Sequence, residues 1–207
     1  VLVISLGGFG SSNSDDGFEW FCEEHMRSNR NILCISSWAS ITTLSYKLAN
    51  NIADLIEHMN HPKVVLVGKS MGACKLHHAA TGTKIGARGR LKNKKIDLFI
   101  GIDMSCSISR HFEKGERDSL AFTHNVKKLL VFHQTKRGER QTGHQGIFVG
   151  KSYNPRIHID VNKHGFHLES ETRSNGPRLC NNVGHMDIDD CRKLQQTVKS
   201  IVLKQIR

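Results

Sequence analysis

The segment Gly68-Lys69-Ser70-Met71-Gly72 follows the β-branched run Lys63–Val67 and opens a helix-like stretch from Met71 to Ala80. G-x-S-x-G between a strand and a helix is the pattern of a nucleophile elbow. A sharp turn there lifts a serine hydroxyl above the sheet edge, and glycines at 68 and 72 remove side chains that would clash with the neighbouring strand and helix. The helix N-terminus adds backbone N–H groups and partial positive charge for a developing oxyanion, with the Met71 N–H as one donor. A serine needs a base beside it to be a useful nucleophile. The candidate base is His185, in Val183-Gly184-His185-Met186-Asp187. Of thirteen histidines it is the late one that directly precedes a helix. His158, His164 and His167 are the alternatives and read as surface or locally hydrogen-bonded residues. The candidate acid is Asp103, at the end of the apolar run Ile96–Ile102, where a carboxylate can orient an imidazole above the sheet and stabilise its charged form. Asp160, in Arg156-Ile157-His158-Ile159-Asp160, is the second candidate. Asp187 and Asp189 read as residues that help the last helix start.

Other chemistries fit the spacing less well. Gly68-Lys69-Ser70 resembles the end of a phosphate-binding loop, but that loop needs a glycine five residues before Gly68, where Lys63 stands. The glycine-rich Leu6-Gly7-Gly8-Phe9-Gly10-Ser11-Ser12 follows an apolar run, but G-x-G-x-x-G fails at Asn13. His164-x-x-His167, with His158 nearby, lacks zinc-ligand spacing. No metal is expected.

These residues need a scaffold, and the hydrophobic pattern supplies one. Short apolar runs at Val1–Leu6, Asn31–Ser36, Lys63–Val67, Ile96–Ile102 and Val126–His133 read as buried parallel strands. Gly146–Val149 and Arg156–Val161 read as a hairpin or a sixth strand. Helical spacing marks Asp15–Ser28, Thr43–Met59, Met71–Ala80 and Asp187–Ile206, with a short helix over Glu113–Thr123. Thr81–Lys95 and Gln134–Gly146 read as loops, and Lys163–Gly184 is low in apolar content. Strands alternating with helices imply an α/β fold, a mostly parallel central sheet between two helical layers. No repeat or interdomain linker breaks the chain, so residues 1–207 read as one domain. In such sheets reactive groups gather beyond the carboxyl ends of the strands.

Four segments in this order, GGFGSS, GKSMG, IGID and GHMD, resemble the α/β-hydrolase superfamily, and the likeness covers essentially the whole chain. IGIDMS is similar to the strand-end aspartate of lipase-type members, and Asn125–Gln134 leading to His185 is similar to small bacterial lipase-like hydrolases. The chain order Ser, Asp, His is also that of the superfamily. The resemblance implies a three-layer α/β-hydrolase-like sandwich and a serine hydrolase acting through Ser70, His185 and Asp103 by an acyl-enzyme, with no cofactor. It also implies a second oxyanion donor from the loop after the first strand, with the Gly8 or Phe9 N–H as the candidate. The expected substrate is a small-molecule or lipid-like ester, thioester or related acyl compound. Three departures stand out. The chain is short and begins at what is normally an internal strand. It has no evident long lid insertion between Ile102 and His185, which implies an open, shallow site. Lys69 stands where His, Tyr or Asp is more usual. The rival reading is a catalytically silent hydrolase fold that binds an anionic partner.

Charge bears on that rival. Thirty basic against nineteen acidic side chains give +11 with histidine neutral, which favours an anionic substrate or membrane surface. The loop Lys84–Lys95 is its densest basic stretch. Nucleic acid is not expected, because aromatic residues make up 6% of the chain and no basic–aromatic interleaving occurs. The six cysteines contain no C-x-x-C pair. Most read as reduced core thiols, with Cys180 and Cys191 open to pairing. Reduced thiols, no apolar run near the ~18 residues of a membrane span and no visible signal peptide give a cytoplasmic expectation. Val1 already lies inside an apolar run, so the missing leader is not informative.

Overall fold

A computed structural model describes residues 1–8, 17–18, 20–38, 46–81, 91, 94–104, 125–136 and 156–206. Its centre is a six-stranded sheet in the order β2-β1-β3-β4-β5-β6. The strands are β1 (Leu2–Gly7), β2 (Leu33–Trp38), β3 (Val64–Lys69), β4 (Leu98–Ile102), β5 (Leu129–His133) and β6 (Arg156–Asp160). Every pairing is parallel. Arg156–Asp160 is thus a sixth strand of the main sheet.

Alternation along each strand sends side chains to two separate cores. Leu2, Ile4 and Leu6 of β1 join Val64 and Leu66 of β3 on one face, where α1 (Tyr46–Met59) and α2 (Ser70–Thr81) cover them through Ile52, Ile56, Ala73 and Leu76. Val3, Val65, Val67, Ile100 and Phe132 face the other way, beneath α3 (Arg192–Lys204) and a π-helical turn at Cys22–Met26. Leu194, Val198, Ile201 and Val202 form the apolar stripe of α3. A parallel sheet buried on both faces needs such covering layers, which is why its strands are near-continuous apolar runs.

Several boundaries depart from the sequence pattern. Within Asp15–Ser28 the regular structure among the described residues is the π-helical turn. The second helix begins at Ser70 itself. Ile96 and Val126 form an isolated bridge ahead of β4 and β5. The polar stretch after β6 holds an antiparallel hairpin, β7 (Gly165–His167) and β8 (Thr172–Ser174). The last helix starts at Arg192, and Cys191 is its N-cap with no side-chain cap bond. Asp187 and Asp189 therefore do not cap it. The short helix expected at 113–123 and the strand at 146–149 lie outside the described residues.

The cysteines depart most. Cys22 is bonded to Cys34 and Cys180 to Cys191. Cys74 is also disulfide-bonded, and there is no free cysteine among the described residues. The reduced-thiol reading is corrected: a cysteine beside apolar residues looks the same in sequence whether it is a small hydrophobe or half of a bridge. The cytoplasmic expectation loses the support it drew from reduced thiols. No helix among the described residues is long and apolar enough to cross a membrane.

Cys180–Cys191 closes a loop of sequence separation 11. Replacing both cysteines by serine is expected to lower unfolding free energy by about 2–4 kcal/mol, because the unfolded chain regains the loop's entropy. Urea denaturation of the variant beside wild type measures it.

Candidate active site

Strand register brings three of the candidate positions level. Leu6 pairs with Gly68 and Lys69 with Ile102. One or two residues further on, Gly8, Ser70 and Asp103 emerge side by side at the carboxyl ends of β1, β3 and β4. The chain reverses its strand order between β1 and β3, the switch point where open α/β sheets form their crevice.

At Ser70 the chain passes from strand to helix within one residue, at φ +51°. Non-glycine residues rarely adopt that left-handed region, and holding one there costs on the order of 1–3 kcal/mol. The surrounding backbone explains both glycines. A Cβ at Gly68 would lie 2.4 Å from the Ala73 Cα, and one at Gly72 would lie 2.3 Å from the Leu6 carbonyl oxygen. Gly8 is equally tight: its Cβ would meet the Ser70 Cβ at 2.6 Å. The backbone after β1 therefore lies directly against the serine. Met71 is the second residue of α2, so its N–H is one of the four at a helix start that no carbonyl of the helix itself can pair. Met71 and Gly8, the expected oxyanion donors, thus flank Ser70. Phe9, the alternative second donor, lies outside the described residues.

His185 lies between serine and acid. Its Nε2 is 2.8 Å from the Ser70 Oγ, and its Nδ1 is 2.7 Å from the Asp103 Oδ2. A carboxylate can only accept, so Nδ1 carries the proton and Nε2 accepts the serine hydroxyl. Asp103 is fully buried, and the Gln134 amide, just past β5, also donates to its Oδ2 at 3.4 Å. Asp103 has φ +38°, a second left-handed non-glycine residue at a strand end.

The second candidate acid is engaged elsewhere. Asp160 accepts hydrogen bonds from the Thr135 hydroxyl, the Lys163 ammonium at 3.0 Å and the Asn162 N–H at 3.1 Å. Burial pushes its carboxyl up, but the bonds from Thr135, Lys163 and Asn162 together hold it below the ordinary carboxylate range. Asp187 accepts the Gly184 N–H at 3.4 Å and faces Lys136.

The loop that carries His185 is fastened at several points. The Asn162 side chain donates to the Val183 carbonyl at 2.8 Å and accepts the Val183 N–H at 2.9 Å. Ile188 is fully buried, and the disulfide closes the loop behind it. Asp189 forms a buried ion pair with Lys69, Oδ2 to Nζ 2.6 Å, with both side chains almost wholly out of solvent. Sequence reasoning missed this pair and the Gln134 contact. The available signal was that Lys69 is the lone charge between Val64 and Cys74, and a charge in a buried run requires a partner.

Of the basic stretch 84–95, residues 91, 94 and 95 are described. Lys94 donates to the Asn60 side chain and Lys95 lies 3.9 Å from Asp97. Both precede β4, so they stand at the sheet end opposite Ser70. The segments 105–124 and 137–155, where a lid between Ile102 and His185 would fall, lie outside the described residues. Among the described residues no three His, Cys, Asp or Glu side chains cluster as metal ligands. No family model, curated protein or solved structure matches the chain.

Gly72→Ala would drive a methyl group into the Leu6 and Gly7 carbonyl oxygens. Backbone cannot move aside as a side chain can. The expected loss of stability is about 3 kcal/mol, at the upper end of overpacking costs, read from the shift in urea midpoint.

Proposed function

We propose that this chain is a serine hydrolase of the α/β-hydrolase kind, cleaving an ester, thioester or related acyl bond. One observation carries the reading: Ser70, His185 and Asp103 come from three distant parts of the chain and meet in one line of hydrogen bonds. The sheet order, the strained serine and the glycine contacts support it, since each is what a nucleophile elbow requires.

The chemistry follows from the bonds. The Ser70 Oγ attacks the acyl carbon as its proton passes to the His185 Nε2, and the carbonyl π pair moves onto oxygen. In this reading the new oxyanion is met by the Met71 N–H at the start of α2 and by the backbone at Gly8. Asp103 stabilises the imidazolium and keeps the ring in its productive tautomer. The oxyanion re-forms the carbonyl and expels the leaving group, which takes the proton from Nε2. A water then repeats the sequence: His185 removes its proton, its oxygen attacks the acyl-enzyme, and Ser70 leaves with the proton. The products are the free acid and the regenerated serine.

The disulfides support maturation in an oxidising compartment, since such bonds persist where thiols are not held reduced. A small-molecule or lipid-like acyl substrate fits the reaction, and the net charge of +11 is compatible with an anionic one.

Hydrolysis of short-chain p-nitrophenyl esters tests the reading. Ser70→Ala, His185→Ala and Asp103→Asn are each expected to lower kcat by about 10³–10⁴-fold or more. Asp160→Asn should stay near wild type, because Asp160 serves its own loop. Turnover that survives Ser70→Ala would overturn the assignment.

A further inference from the structure

We propose that the Lys69–Asp189 ion pair is the positioning device of the site, locking the loop that carries His185 onto the turn that carries Ser70. The inference rests on Ser70 and His185 being the reacting pair. Lys69 immediately precedes the serine, and Asp189 lies four residues after the histidine. Their 2.6 Å bond is therefore a direct link between the serine turn and the histidine loop that does not pass through the triad. The stem of Lys69 reaches a third part as well. A Cβ at Gly8 would sit 3.3 Å from the Lys69 Cδ, so the lysine chain runs beneath the glycine turn after β1. One side chain thus touches the nucleophile turn, the oxyanion turn and the histidine loop.

Stability alone does not account for the pair. Lys69 is fully buried and Asp189 nearly so. Taking both charges from water is costly, and apolar residues of similar volume often replace such pairs without loss. Burial pushes the Asp189 carboxyl above its ordinary range even against the pull of Lys69. What an ion pair adds over apolar packing is direction: a short bond between fixed atoms resists sliding, whereas greasy contacts tolerate it. The rest of the loop is arranged around that bond. Gln195 on α3 donates to the Asp189 carbonyl at 2.6 Å, holding its backbone while Lys69 holds its side chain. A shift of about 1 Å between reacting groups can cost about 10²-fold in rate.

The test is the full-length Lys69→Met/Asp189→Leu double variant, which removes both charges at similar volume. Its melting temperature is expected to stay close to wild type. Its kcat on p-nitrophenyl esters, per site titrated with a fluorophosphonate, should fall about 10–100-fold with little change in KM. A merely structural pair would lower stability and the number of titratable sites while leaving kcat per site intact. Proton NMR reads the same geometry without turnover. The His185 Nδ1 proton held by Asp103 should give a sharp downfield resonance in wild type and a broadened or absent one in the variant. If the double variant does not fold, Asp189→Asn, which keeps size but leaves the buried Lys69 charge without its counter-ion and so lowers stability, carries the same expectations for kcat per site and for the resonance. Wild-type kcat per site together with an unchanged resonance would overturn the inference. An inert wild type whose resonance is lost in the variant would instead overturn the hydrolase reading and leave the positioning role standing.

Discussion

At the end of β3 the chain must change from strand to helix in a single residue, with the backbone of β1 pressed against it. The Leu6 and Gly7 carbonyl oxygens occupy the space a side chain at 72 would need, and Ala73 occupies that of 68. Neither glycine could be traded without separating α2 from the sheet. The turn leaves Ser70 in a left-handed conformation as the first residue of α2, its hydroxyl bonded to His185. Strain of this kind persists only where the surroundings over-determine it. Here they do so through two apolar cores, one on each face of the same strand.

Two other positions in the site are registered to that turn. Parallel pairing carries the level of Ser70 across to β4, where Asp103 emerges, and to β1, where Gly8 emerges. The histidine arrives differently, on a loop far along the chain, so its placement depends on fastenings rather than on register. Asn162, the disulfide and the Lys69 ion pair each hold a different part of that loop. The division is physical. Groups that need fixed height above the sheet come from strand ends, and the group that hydrogen-bonds to both Ser70 and Asp103 comes from a segment clamped in place.

The sheet was legible because parallel strands buried on both faces must be continuous apolar runs, and five of them stand out between polar segments. Ser70 was legible because its glycines have a steric cause that needs no other part of the chain. Asp103 and His185 could be placed by strand end and chain order, since both follow from topology. The buried pair was not legible. Lys69 and Asp189 are 120 residues apart, and nothing local distinguishes Asp189 from a helix-start aspartate. Bridged cysteines escaped for the same reason: Cys22 and Cys34 join a helical turn to an edge strand, a contact that only the folded layers create. The hairpin at Gly165–Ser174 was obscured by low apolar content, because its exposed strands bury little.

The central claim is that Ser70 is a nucleophile activated by His185. Mass spectrometry of the folded protein after exposure to a fluorophosphonate, followed by peptide mapping, tests it without knowledge of the substrate. The account predicts one phosphonyl group per chain, on Ser70, and none when His185 is replaced by alanine. A folded wild-type chain that stays unmodified, or that carries the group on another residue, would contradict it.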